Sequence, residues 1–286
     1  MVDNLKILFR LYRQYTKMDL LWFLRDTRYC LLQIFSDTVC AFCTIAGVFL
    51  LSEKFGGFGG MNQGEILFMM GFSTLVDGIY MMFFIGNNTA MISRIIGRGQ
   101  LDHVMIQPVP IWAELLAQGF SPLSGSSMLI CGIGLTTYAV SRLPISVTMP
   151  WLMLLLIYAV SATALIISFM TLLSCAAFYA PAAAEEIAQV GKDLFTSLKT
   201  YPLGTMSHSV RRLFLTVLPV GLAAWFPSAL LLKAGCGEFG LPMLLQACYL
   251  PTAAFALSLL TIYVFKKGMK YYAVNGSPRY SGFGHR

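Results

Sequence analysis

The sequence predicts an all-α integral membrane protein with six transmembrane helices. Its 286 residues are 57% hydrophobic and 12% charged, and the mean hydropathy is +0.70. Soluble domains carry about 25% charged residues, so this chain has too little polar surface to cover a soluble core. Six apolar runs reach the length of about 20 residues that crosses the hydrocarbon of a bilayer. The composition excludes a soluble enzyme, a disordered protein and a nucleic-acid-binding protein, even though the net charge is +7.

The first 28 residues predict a helix that lies in the membrane interface. Four basic residues are spaced by four, three and four positions and therefore share one helix face: Lys6, Arg10, Arg13 and Lys17. Aliphatic and aromatic residues occupy the opposite face: Leu5, Leu8, Tyr12 and Tyr15. A basic face opposite an apolar one is typical of helices that bind lipid headgroups. An ordinary solvated helix before the first span is the alternative.

The remaining chain divides into a six-span bundle at 29–265 and a tail at 266–286, so residues 1–286 are expected to form one membrane domain. The predicted spans are 29–52, 66–92, 112–140, 149–179, 212–232 and 242–265. The fifth contains Pro219 and Pro227, and proline inside a membrane helix leaves backbone groups that neighbouring helices or water must satisfy. The last region is therefore expected to be broken by proline, with a re-entrant pair as the alternative to a span.

Basic residues predict the orientation of these spans. With six spans both termini lie on one side, and 17 of the 20 Lys and Arg residues fall on that side. The positive-inside rule places both termini in the cytoplasm. This assignment treats the polar stretch Ala180 to Tyr201 as cytoplasmic. If that stretch crossed the membrane, Arg211 and Arg212 would lie outside.

The chain carries none of the motifs that would give it an energy source or a catalytic centre. It has no phosphate-binding loop, no H-E-x-x-H motif and no G-x-S-x-G motif. Its three histidines are far apart in sequence, so no metal site is expected. The seven cysteines lie mostly within apolar runs and do not resemble a disulfide framework.

Two aspartates within the predicted spans are candidate pathway residues. Asp37 lies in the first span and Asp77 in the second, and Asn87 lies near the cytoplasmic end of the second. A carboxylate at mid-membrane costs about 2.5–3.5 kcal/mol on insertion scales, so it needs a partner, a proton or water. The residues therefore line a polar path or relay protons, or they make structural hydrogen bonds to neighbouring helices.

The segment 95–114 has the pattern of a short surface helix. Two glycines precede an amphipathic stretch at 100–106, and two prolines follow it before the next span. Turn signals at both ends predict a helix that lies across the membrane surface, where a cytoplasmic partner can push on it. An ordinary surface loop is the alternative.

Two stretches together resemble one known family. The first comprises Arg98, Gly99, Gln100, Leu101, Asp102, Gln107 and Pro108. The second comprises Tyr201 and Pro202, followed by Arg212, Pro219 and Pro227. They are similar to the loop after the second helix, and to the region before the last helix, of permease subunits of type-2 ABC exporters. These are six-helix permeases that pair with a separate ATPase chain.

The resemblance implies a permease whose 97–108 loop is a coupling helix that docks in a cleft of an ATP-binding subunit. Two copies of that subunit would bind ATP and Mg and hydrolyse the ATP, while this chain would hold no cofactor and no catalytic residue. A second permease chain, identical or related, would complete the pathway. The protein would be a multi-pass cell-membrane protein surrounded by lipid, with cytoplasmic termini and no nucleic-acid partner.

Two other functions remain open at this point. A proton-coupled secondary transporter would use Asp37 and Asp77, with broken helices in the last two spans, although the six spans show no internal repeat. A membrane-embedded enzyme would need several convergent histidines, cysteines or carboxylates at membrane depth, and the spans offer two separate aspartates.

Overall fold

The computed structural model describes residues 2–84, 92–237 and 241–276, and every regular element in these ranges is helical. The α-helices are α1 (Val2–Arg25), α2 (Thr27–Phe55), α3 (Gln63–Phe84), α4 (Ile92–Gly97), α5 (Leu101–Met105), α6 (Ile111–Ala117), α7 (Ser126–Arg142), α8 (Met149–Ser174), α9 (Pro181–Leu198), α10 (His208–Thr216), α11 (Trp225–Gly235), α12 (Leu241–Ala247) and α13 (Tyr249–Asn275). Two 3-10 helices, Cys175–Phe178 and Pro219–Leu222, follow α8 and α10. The predicted all-helical class is confirmed.

Four helical segments in the described ranges are long and apolar enough to cross a membrane. They are Thr27–Phe55, Gln63–Phe84, Met149–Phe178 and Met243–Asn275. They coincide with the predicted spans at 29–52, 66–92, 149–179 and 242–265, except that residues 85–91 lie outside the described part of the chain. Long apolar runs identify such helices because only a helix satisfies its own backbone groups in hydrocarbon.

Several loops meet at one end of the bundle, which we call the upper end. The loop at 56–62 lies against the segment 199–204, where Gly59 approaches Pro202 so closely that an added Cβ would lie 2.5 Å from the proline Cγ. The loop after α7 meets the end of α11, because the Ser146 backbone amide donates a hydrogen bond to the Gly235 carbonyl at 3.0 Å. These contacts bring residues far apart in sequence to one surface.

The opposite end, which we call the lower end, holds α4, α5, α6, the start of α9 and the last turns of α13. The Phe178 ring contacts Phe265 and Tyr272 at centroid distances of 5.6 and 6.3 Å. Arg94 of α4 binds Glu185 of α9 with a distance of 2.5 Å between Nε and Oε1. Helices α3, α7, α8 and α9 run between the upper and lower ends.

Helix α3 occupies the centre of the bundle and packs against α7 through glycines. A Cβ added at Gly78 would lie 2.3 Å from Leu129 Cα, and one added at Gly132 would lie 2.4 Å from Leu75 Cα. The two backbones therefore touch, as small residues allow in membrane helices. In the most apolar window of α3, 61% of residues are buried, compared with 11% in α2. Helix α2 is thus peripheral and α3 central.

The structure corrects the prediction of one continuous span at 112–140. The helix stops at Ala117 and resumes at Ser126. In the break, Gly119 has a φ of +90°, and the Asp19 carboxylate accepts hydrogen bonds from the Leu123 amide at 2.7 Å and the Ser124 hydroxyl at 2.6 Å. The interrupted backbone is stable because a side chain from α1 replaces the missing helical bonds.

The structure confirms that the region predicted as a span at 212–232 is broken at proline. Helix α10 ends at Thr216, and the next helical segment departs at 70°. Pro219 begins a 3-10 helix here, since proline has no backbone N–H to continue the α-helical ladder. The Tyr249 hydroxyl donates to the Leu215 carbonyl at 3.0 Å, so the bend lies beside the first turn of α13. The segment 199–235 begins and ends at the upper end.

The polar stretch at 180–201, for which the sequence left a crossing open, contains the 18-residue helix α9 (Pro181–Leu198). This helix runs from the lower end toward the upper end and packs along α8. The tail predicted at 266–286 is helical as far as Asn275, because Gly268 and Tyr272 pack against Phe178. Residues 277–286 lie outside the described part of the chain.

The α3–α7 contact predicts that alanine is destabilising at one glycine of α7 and tolerated at another. We expect Gly132→Ala to lower the free energy of unfolding by about 1–3 kcal/mol, because the new methyl group would overlap the α3 backbone. Gly134→Ala is the matched control, since no atom lies within 4 Å of its added Cβ. Unfolding midpoints of the two variants in detergent measure the difference. Equal midpoints would contradict the close packing of α3 and α7.

Candidate functional site

The predicted coupling loop contains a short helix fixed to the lower end. Gly99 has a φ of +69°, a left-handed conformation that favours glycine, and the chain then enters α5. Leu101 and Val104 point inward and are buried against the lower-end cluster that includes Ile96. Ile106 follows with 79% of its surface exposed. The short helix predicted at 100–106 is present as Leu101–Met105, within the 97–108 loop.

The outward surface of this loop is polar with one large apolar side chain. The exposed residues are Arg98, Gln100, Asp102, His103, Met105, Ile106, Gln107 and Pro108. With buried anchors on one side and exposed side chains on the other, the loop is held in place and available for contact. A rigid, preformed patch reduces the entropy cost of binding a partner.

Arg94 and Arg98 both bind Glu185 at the first turns of α9. The Arg94 Nε lies 2.5 Å from Glu185 Oε1, and an Arg98 terminal nitrogen lies 3.4 Å from the same oxygen. The sequence places Arg98 in the loop but does not indicate its contact with Glu185. All three residues lie in polar segments where charges are ordinary, so no pattern in the sequence indicated their pairing.

Helix α1 docks beside the coupling loop through one face. The Tyr15 hydroxyl donates to Glu114 Oε1 at 2.6 Å, and the Tyr12 ring packs edge-on against Phe120 with centroids 4.9 Å apart. Burial and the Glu114 carboxylate raise the pKa of Tyr15 above its ordinary value, so the hydroxyl stays protonated as the donor. The predicted basic residues are all exposed on other faces: Lys6, Arg10, Arg13 and Lys17.

The candidate pathway residues have different surroundings. Asp77 of α3 pairs with Lys199, which follows α9 and is only 4% exposed at its side chain. Asp37 of α2 is half-buried and makes no hydrogen bond or ion pair to another residue of the described ranges. Asn87 lies outside the described residues. The structure therefore gives Asp77 the partner that a carboxylate in this position requires.

Helix α9 has a buried face and a polar exposed face. Ala188 and Phe195 are buried, and Phe169 of α8 stacks on Phe195 with ring centroids 5.3 Å apart. The exposed polar residues recur at helical spacing along its length: Glu186, Gln189, Asp193, Thr196 and Ser197. Gln189 Nε2 donates to Asp193 Oδ1 at 3.1 Å. Because of these polar side chains, α9 is not among the helices of the described ranges that are apolar enough to cross a membrane.

No group of three or more His, Cys, Asp or Glu side chains within the described ranges could hold a metal ion. The residues that the geometry brings together are instead charged and hydrogen-bonded pairs between helices. Such pairs hold helices in fixed positions relative to one another.

Residues 38–276 match the family model described as ABC-2 family transporter protein. This match covers most of the chain, and the chain belongs to the ABC-2 transporter family. It is therefore a multi-pass membrane protein of the permease class, which in ABC transporters is the membrane subunit. No curated protein and no solved structure matches the chain.

The buried pair predicts a large loss of stability when its cation is removed. Lys199→Met keeps the side-chain length but leaves Asp77 without a compensating charge. We expect the free energy of unfolding to fall by about 3 kcal/mol, the low end for a buried pair, because the Asp77 side chain is 27% exposed. The unfolding midpoint in detergent measures this loss.

Two further variants separate charge compensation from other effects. Adding Asp77→Asn to Lys199→Met is expected to restore part of the stability, because the unpaired charge is removed. Lys192→Met, on the same helix and outside any ion pair within the described ranges, is the matched control and should stay near the parent. Equal losses for Lys192→Met and Lys199→Met would contradict the role of the pair.

Proposed function

We propose that this chain is the permease subunit of an ATP-driven ABC exporter and that the 97–108 loop couples it to a separate ATP-binding subunit. The observation that carries the proposal is the exposed helix α5, held at the lower end by Leu101 and Val104 in a chain of the ABC-2 family. The outward residues Asp102 and Ile106 are its contact surface. Export as the direction follows from the resemblance of the loop motif.

The proposed topology has six crossings, by α2, α3, α7, α8, α9 and α13. Helix α9 is about 27 Å long, close to the hydrocarbon thickness of about 30 Å. The bent pair α10–α11 dips into the membrane from the upper side and returns to it. This arrangement replaces the predicted span at 212–232 by α9 and keeps both termini at the lower end.

Basic residues support the lower end as the cytoplasmic side. Helix α1 and the last turns of α13 lie there, and they carry Lys6, Arg10, Arg13, Lys17, Arg25, Lys266, Lys267 and Lys270. Arg211 and Arg212, counted as cytoplasmic in the sequence analysis, belong to the upper end in this topology. The positive-inside rule still favours a cytoplasmic lower end.

A second permease chain, identical or related, is proposed to complete the pathway. Helix α2 is largely uncovered by the rest of the chain and shows a row of large apolar side chains: Leu31, Leu32, Phe35, Phe42, Leu50 and Leu51. The polar face of α9 cannot face lipid without cost, so it is expected to line a water-filled path. Lipid covers the remaining apolar surface.

Energy is proposed to come from ATP and Mg bound by two copies of the ATP-binding subunit. The ATP-bound and ATP-free forms of these subunits would bind the two conformations of the permease with different affinity. This difference would shift the permease between inward-open and outward-open states. The proton-coupled alternative is less well supported, because Asp77 is paired with Lys199 and only Asp37 is left as a candidate proton carrier. Transport that stops with an uncoupler but tolerates ATP depletion would favour that alternative.

Ile106→Glu tests the docking surface. A buried apolar anchor at an interface contributes strongly to affinity, so we expect at least about tenfold weaker binding of the ATP-binding subunit. Val274→Glu is the matched control, because Val274 is 85% exposed at the same end but lies outside the loop. Co-purification and titration of the subunit in detergent measure binding. No complex with the parent chain, or equal binding by both variants, would contradict the proposal.

A further inference from the structure

We propose that Glu185 is a positioning residue through which the coupling loop moves α9. The inference rests on the proposed function, since it requires a partner that displaces the loop. It names the contact that carries the displacement from the lower end into the membrane. Three features of the described residues support it: a two-arginine link, a helix fixed at both ends and a polar face between them.

The link at the lower end joins the coupling loop to α9 directly. Arg94 lies in α4 and Arg98 follows that helix, immediately before the Gly99 turn. Their guanidinium groups bind Glu185 from two positions of the chain, at 2.5 and 3.4 Å. The short contact from Arg94 Nε is a charge-assisted hydrogen bond, and one Arg98 terminal nitrogen lies near both carboxylate oxygens, so Glu185 is held from two sides. A shift of the loop therefore pulls or pushes the first turns of α9.

The link contributes little to overall stability, which separates its role in coupling from a role in folding. The side chains of Arg94, Arg98 and Glu185 are 38%, 50% and 34% exposed. Ion pairs with this exposure are screened by water and contribute weakly to folding. The carboxylate at 185 can therefore be neutralised without unfolding the chain, unlike the buried pair at the other end of α9.

Helix α9 is built to transmit a displacement along its axis. It is continuous over 18 residues, with its only proline at the first position, where proline is compatible with a helix. Lys199 immediately after it pairs with Asp77 of the central helix α3. Gly191 lies close to α8, where an added Cβ would be 2.6 Å from Leu173 Cδ1. A rigid element between two charged contacts moves as one body.

The polar face of α9 lies between these two contacts. Glu186, Gln189 and Asp193 are exposed on it. When the loop moves, this face changes its position relative to α3, and so does the lining of the proposed path. Glu185 thus transmits a displacement of the loop to α9, and Lys199 transmits the displacement of α9 to α3.

The test uses the full chain in complex with its ATP-binding subunit. The accessible cysteines Cys40, Cys43, Cys131, Cys236 and Cys248 are replaced, and an environment-sensitive fluorophore is attached at Thr196→Cys on the polar face of α9. The emission shift between the nucleotide-free state and the state trapped with ATP and vanadate reports movement of α9. ATP hydrolysis by the same complex reports the ATPase side separately.

Glu185→Gln is expected to reduce the emission shift at least about threefold while the complex still forms and hydrolyses ATP. Arg94→Gln should have the same effect, and the double variant no more than either single one, because residues that act through one contact are not additive. Glu186→Gln is the matched control: it neutralises the neighbouring exposed carboxylate, which makes no ion pair within the described ranges, and should leave the shift unchanged.

The outcomes separate this inference from the proposed function. Failure of the parent chain to form a complex overturns the proposed function and this inference with it. A complex in which Glu185→Gln retains the full shift, or in which Glu186→Gln loses as much, overturns the inference alone. If Glu185→Gln does not assemble, Arg94→Gln decides by the same comparison, since it removes the shorter of the two arginine contacts.

Discussion

The ion pair between Asp77 and Lys199 fixes where helix α9 ends. Asp77 lies in the central helix α3 with its side chain 27% exposed, and removing the buried Lys199 cation would leave this carboxylate without a compensating charge. The pair therefore holds the end of α9 against α3. Because α9 starts at the lower end beside Glu185, this contact fixes the far end of α9 inside the bundle.

The path of the chain after α9 follows from that placement. Pro202 meets Gly59 at the upper end, and Gly235 meets Ser146 there, so the segment between them must leave the upper end and return to it. The proline at 219 makes this reversal feasible by ending the helical ladder. The ion pair thus accounts for the position of the end of α9, and the proline accounts for the bend between α10 and α11.

Much of the fold was predictable from the sequence because long apolar runs have one structural solution in hydrocarbon. Helices α2, α3, α8 and α13 follow directly from that rule. Helix α9 does not, because it carries four charged residues within 18 positions, of which only Glu185 forms an ion pair in the described ranges. The break after Ala117 was equally hidden: it depends on Asp19, more than 90 residues earlier in the chain.

The short helix of the loop was predicted in position, but its contacts with the rest of the chain were not. Gly99 and Pro108 mark a short surface helix by turn chemistry, and a helix occurs between them. Arg94, Glu185 and Lys199 carry no local signal, since their roles come from residues far away in sequence. The family match over 38–276 identifies the class of protein. The contacts of α9 show how the loop is connected to the central helix α3.

If α9 crosses the membrane as proposed, the segment that follows it lies outside the cell, and labelling of that segment tests the crossing. Thr205 is exposed. In a chain lacking the accessible native cysteines, the thiol of Thr205→Cys should react with a membrane-impermeant maleimide in intact cells. His103→Cys on the coupling loop should react only after permeabilisation. Labelling of both positions only after permeabilisation would place the segment after α9 in the cytoplasm and contradict the account.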